Sequence, residues 1–67
     1  MNIYINDEER SLSDGISLEL MLGEIGMDDT QGCALALNES VIPKDKWNET
    51  KLKENDKIII IKATRGG

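Results

Sequence analysis

The chain has 67 residues, no His, a single Cys and a formal net charge of −5; it has room for one domain, without a deep catalytic cleft and without a disulfide or thiolate metal site within one chain. The charge is uneven, with eight acids and one base in residues 1–33 against five acids and seven bases in 34–67, so no basic surface of a size useful for nucleic acid can be assembled. The opening MNIYIN lacks a basic stretch followed by an apolar one, and no apolar run approaches the roughly 20 residues that span a bilayer, so a cytoplasmic protein with no membrane association is expected.

Leu, Ile and Val make up 17 of the 67 residues, enough for a folded core. Asn2–Asn6 alternates Ile3 and Ile5 with polar neighbours, the period of a strand with one buried face. Asn6-Asp7 reads as a turn, because both residue types tolerate left-handed backbone, and a second short strand is expected around Arg10–Ser13. After Asp14-Gly15, Ser17 is placed to cap a helix in which Leu18, Met21, Leu22 and Ile25 form an apolar stripe, with Gly26 as its stop. So short a helix cannot hold itself in water, and Gly23 within it costs about 1 kcal/mol relative to Ala, so it must form against a sheet.

Residues 28–32 read as a loop, followed by a strand at 33–38 in which Cys33, Leu35 and Leu37 alternate with Ala34 and Ala36. Apolar on both sides, that strand belongs in the middle of a sheet, one side on the helix and the other covered or used for contact. Asn38-Glu39-Ser40 turns into a short edge strand, Val41-Ile42-Pro43, with Pro43 ending ladder pairing. The polar stretch Lys44–Thr50 is expected to be irregular or a single turn pinned by Trp47, and Glu54-Asn55-Asp56 to form the last turn before a strand over 57–63. Four consecutive isoleucines, 58–61, predict that this last strand is central and buried on both faces. The order strand, strand, helix, strand, short strand, strand describes an α+β layer, a mixed sheet of four to five strands with one main helix on one face and the first and last strands side by side. Residues 1–63 are expected to form the domain, and 64–67 a flexible C-terminal tail.

That tail is Thr64-Arg65-Gly66-Gly67. Two residues without Cβ atoms can thread a narrow channel and present the α-carboxylate of Gly67 to an enzyme, and the strand directly upstream gives the tail a fixed origin.

The segment ALALNESVIPKDKWNETKLKENDKIIIIKATRGG resembles the second half of the ThiS sulfur carrier proteins of thiamin biosynthesis. The features that carry the likeness are the alternating strand ending in Asn38, Val41-Ile42-Pro43, Trp47 four residues on, Leu52, the turn ending in Asp56, the apolar strand and the diglycine end. The first 32 residues match by pattern and length. The resemblance implies the ubiquitin-like β-grasp fold and a carrier that is not itself an enzyme. It implies that Gly67 is adenylated by a ThiF-like, E1-like partner using ATP and Mg²⁺, and that a sulfur donor then converts it to a thiocarboxylate. A ThiG-like thiazole synthase would receive the sulfur. Gly66 and Arg65 would thread the partner's channel, and no cofactor would be bound by a carrier that is monomeric when free. Two departures stand out: Asn55 where many relatives have Gly, and Arg65 where a small residue is usual, the latter resembling the ubiquitin tail.

Cys33 fits a small apolar strand residue better than a sulfur relay. Trp47 reads as a packing anchor with its N–H at the surface. The acid runs Asp7-Glu8-Glu9 and Asp28-Asp29 read as solvated loops, not metal ligands. The helix-free side of the sheet, with Leu35, Ala36 and Leu37 as candidate contacts, is the expected docking face. The alternatives are a sulfur carrier for molybdopterin or cysteine, a ubiquitin-like protein modifier, and a plain interaction module.

Overall fold

A computed structural model describes residues 1–27 and 31–62. The elements run β1 (Asn2–Ile5), β2 (Glu8–Ser11), α1 (Leu18–Glu24), β3 (Cys33–Leu37), β4 (Ser40–Ile42), a 3₁₀ turn at Lys44–Lys46, and β5 (Lys57–Lys62). They form one five-stranded sheet in the order β2-β1-β5-β3-β4. The first and last strands are neighbours and parallel, while the other pairs are antiparallel. This is the expected mixed sheet with one helix.

Both hairpins turn on two residues with positive φ, Asn6 (51°) with Asp7 (68°) and Asn38 (48°) with Glu39 (74°). Left-handed backbone at both central positions matches the twist of the flanking strands. The tightness of the first turn also corrects the second strand, which starts at Glu8 and not near Arg10. A two-residue turn brings Glu8 directly opposite Ile5, so pairing begins there.

The core consists of Ile3, Ile5, Leu35 and Ile58 from the sheet, Leu18, Met21 and Leu22 from the helix, and Trp47 and Leu52 from the β4–β5 connection. Ser17 caps α1 as its spacing predicts, its hydroxyl accepting the Leu20 N–H at 3.2 Å. The connection serves the helix too: Thr50 C=O accepts from Leu18 N–H at 2.9 Å, and Leu52 N–H donates to Ile16 C=O at 2.8 Å. The helix start is thereby sewn to residues over 30 positions away, offsetting its short length. At the far end Gly26 (φ 81°) lets Met27 N–H reach back to Leu22 C=O at 2.8 Å.

Trp47 is buried, and its indole N–H donates to Ile42 C=O at 2.9 Å instead of reaching the surface. This bond fastens the 3₁₀ segment to the edge strand. Asn55 takes φ 69°, a left-handed backbone that Asn tolerates, so the last turn forms without glycine.

Burial of β5 on both faces is corrected. Ile58 is fully buried and Ile60 half-buried, but Ile59 and Ile61 are 39% and 52% exposed. The helix lies on one side of the sheet only, and among the described residues nothing covers the other.

Candidate functional site

Strand alternation together with the register defines the uncovered face. Ile58 and Leu35 are in the core, so their neighbours in sequence point away from α1. Ala36 is paired with Ile59, Ala34 with Ile61, and Val41 with Ala36. On the other flank Tyr4 is paired with Lys57 and with Glu9. The outer face therefore has an apolar stripe, Val41, Ala36, Ala34, Ile59 and Ile61, bordered by Tyr4, Lys57 and Glu9. Val41 is 69% exposed.

Of the three residues expected on the docking face, Ala36 lies on it. Leu35 does not: it is fully buried against the helix side, so it has no surface to offer a partner. Leu37 shares Leu35's side and packs, half-buried, against the core. The stripe instead includes Val41, Ile59 and Ile61. Parity was the available signal, because fixing Leu35 and Ile58 inside places 59 and 61 outside.

At one end of this face an open-sided hollow of about 410 Å³ is lined by Tyr4, Asp7, Asn38, Glu39, Lys57, Ile58 and Ile59. Its wall on the β3 side is braced by side-chain bonds. Asn38 Nδ2 donates to Asp56 Oδ1 at 3.0 Å, Asn38 Oδ1 accepts from Lys57 N–H at 2.9 Å, and Asp56 Oδ2 accepts from Lys53 N–H at 2.7 Å. On the β1 side Asn6 Oδ1 accepts from Ile60 N–H at 2.9 Å, continuing the ladder one rung past the end of β1. The strand that leads toward the tail is thus held on both flanks.

Cys33 is half-buried, packs against the core and stands opposite Lys62 in the β3–β5 ladder. Among the described residues no group of three or more His, Cys, Asp or Glu is gathered for a metal, and no helix is long and apolar enough to cross a membrane. Arg65, Gly66 and Gly67, the boundary of the tail at 63–64, and Asp28-Asp29 lie outside the described residues.

A model of the ThiS family matches residues 2–67. A thiazole synthase of Paramagnetospirillum magneticum is 33% identical over all 67 residues, which span 20% of that protein's length. The sulfur carrier protein ThiS of Escherichia coli is 25% identical with both chains covered completely. The crystal structure of a thiamine biosynthesis protein (ThiS) from Geobacter metallireducens superposes with a TM-score of 0.87 at 17% identity, again over the whole of both chains. The likeness extends to the ubiquitin-like β-grasp, which the sheet order and single helix share.

Proposed function

The chain belongs to the ThiS family, and from that premise we propose that it is a sulfur carrier for thiamin thiazole formation, acting through the carboxylate of Gly67. The observation that carries the reading is the family match running the length of the chain to Gly67, on a domain whose central strand β5 ends at Lys62, five residues earlier.

A carboxylate is a poor acyl donor, because its oxygen is a poor leaving group. A ThiF-like enzyme holding ATP and Mg²⁺ would join the Gly67 carboxylate to AMP and release pyrophosphate. A sulfur nucleophile supplied by a separate donor then attacks the acyl carbon, the C–S bond forms, and AMP leaves with the bonding pair. The product is a thiocarboxylate, a nucleophilic sulfur on a protein handle. Residues 64–67 act as the arm, with Arg65 and Gly66 in the enzyme's channel, and the domain supplies recognition without taking part in the bond changes.

Recognition falls to the outer face of the sheet. The stripe of exposed Val41, Ile59 and Ile61 around half-buried Ala36 is the apolar surface that the helix leaves uncovered. A ThiG-like thiazole synthase as the acceptor is supported by the relative that carries this domain within a longer thiazole synthase. The pathway test is transfer: the thiocarboxylated protein mixed with thiazole synthase and its other substrates should return to the carboxylate as thiazole forms. Retention of sulfur there, with release to a molybdopterin- or cysteine-forming acceptor, would reassign the pathway. Arg65 before Gly66-Gly67 favours a second reading as a protein modifier, in which the activated Gly67 would appear in isopeptide bonds to lysines.

A further inference from the structure

We propose that the hollow beside Tyr4 receives an arginine side chain of the protein that covers the outer sheet face. The proposal rests on the docking reading above and adds a charged anchor to it. The hollow is continuous with the apolar stripe, since Ile59 belongs to both. Its lining pairs an apolar floor, Ile59 and Tyr4, with two carboxylate residues, Asp7 and Glu39, the Ile58 side chain being buried on the helix side of the sheet.

The carboxylates come from separate hairpins, one at each side of β5. Each occupies the second central position of its turn, at φ 68° and 74°, where glycine is the ordinary residue. Among the described residues neither has an ion-pair partner. Lys57 rims the same hollow and is likewise in no ion pair, leaving the rim with a net negative charge.

An apolar floor between two carboxylates suits guanidinium better than ammonium. Guanidinium is flat and weakly hydrated, stacks on an aromatic ring and offers donors in two directions. An arginine entering here would lay its stem along Ile59, its plane by Tyr4, and its N–H groups toward Asp7 and Glu39. The apolar stripe supplies area, and the charged anchor supplies register and encounter rate.

The test has one arm without a partner and one with it. ¹⁵N-labelled protein is titrated with N-acetyl-arginine amide and, separately, with the citrulline amide, which has nearly the same shape and no charge. Arginine amide should shift the amides of Tyr4, Asp7, Glu39 and Ile59 with a Kd of order 10 mM, and citrulline amide should not. Asp7→Asn with Glu39→Gln should remove the effect, while Glu19→Gln with Glu24→Gln, an equal loss of charge on the helix, should leave it. Equal shifts with both amides, shifts elsewhere, or none at all would overturn the proposal. In the second arm the hollow variant should bind the adenylating enzyme about tenfold more weakly and lose much of the salt dependence, yet still be thiocarboxylated at saturating enzyme. Unchanged affinity and salt dependence would overturn the proposal while leaving the carrier reading standing. An unmodified wild-type protein would overturn the carrier reading, with the arginine titration still deciding the hollow.

Discussion

Ala36 on β3 stands directly across from Ile59 on β5, and Val41 on β4 flanks it on the other side. The middle of the uncovered face is therefore a small residue between two exposed aliphatic ones. A charge placed there disrupts a flat contact without entering the core. Ala36→Glu should weaken binding to the adenylating enzyme by more than tenfold, and cost the isolated domain under about 1 kcal/mol. Titration calorimetry alongside urea unfolding separates the two effects, and unchanged affinity would remove this face from the account.

Asp56 is buried and accepts two hydrogen bonds, from Asn38 Nδ2 and Lys53 N–H. It ties the β3–β4 turn to the loop before β5. Asp56→Ala strands two donors and should destabilise the fold by about 2–3 kcal/mol, since bonds to a charged acceptor exceed the ordinary ~1 kcal/mol. A urea midpoint that does not move would show the brace to be dispensable.

Gly23 lies within α1, is exposed, and a Cβ built on it meets nothing within 4 Å. The Gly23→Ala substitution should therefore stabilise the domain by about 0.5–1 kcal/mol. A fall in thermal midpoint would place an unseen contact at that helix face.

The Met1 ammonium donates to Leu12 C=O and to Asp14 Oδ1, each at 2.8 Å. The hydrogen bond it donates to Asp14 raises the amine above its ordinary value of 8.0, and the same bond lowers Asp14 below its ordinary 3.8. The amine's contribution to stability is full below pH 8.0 and is lost as pH rises through the raised value. The carboxylate's contribution is present above pH 3.8 and is lost as pH falls through the lowered value. Asp14→Asn should thus lag wild type most between those limits and converge with it at both extremes. A constant gap across pH, read from urea midpoints, would mean that the pair does not titrate with folding.

Much of this architecture is legible in the chain because several signals agree locally. Ile3 and Ile5 alternate with Asn and Tyr, Ser17 precedes a 3.6-residue stripe, and Asn38 and Asn55 sit where left-handed backbone is needed. The isoleucine run was harder to read, because aliphatic residues on both sides of a strand look alike whether the second side is covered or waiting for a partner. Only the register, with Leu35 and Ile58 inside, separates Ile59 and Ile61 from them. The pairing of residues 16–18 with 50–52 left no pattern, since backbone bonds between irregular segments require no particular side chain. The hollow was equally hidden: Asp7 and Glu39 are 32 positions apart in sequence, and only the sheet order brings their turns to opposite sides of β5.

The central claim concerns the terminal carboxylate, and intact-protein mass spectrometry addresses it directly. With the adenylating enzyme, ATP, Mg²⁺ and a sulfide source, the chain should gain the mass difference of one oxygen-for-sulfur exchange, located to Gly67. Adding one residue after Gly67, or deleting it, should leave a folded but unmodified protein, because displacing reacting atoms by even ~1 Å can cost about 10²-fold in rate. Cys33→Ser should be modified like wild type. A mass change that followed Cys33, or that survived the C-terminal extension, would contradict the assignment.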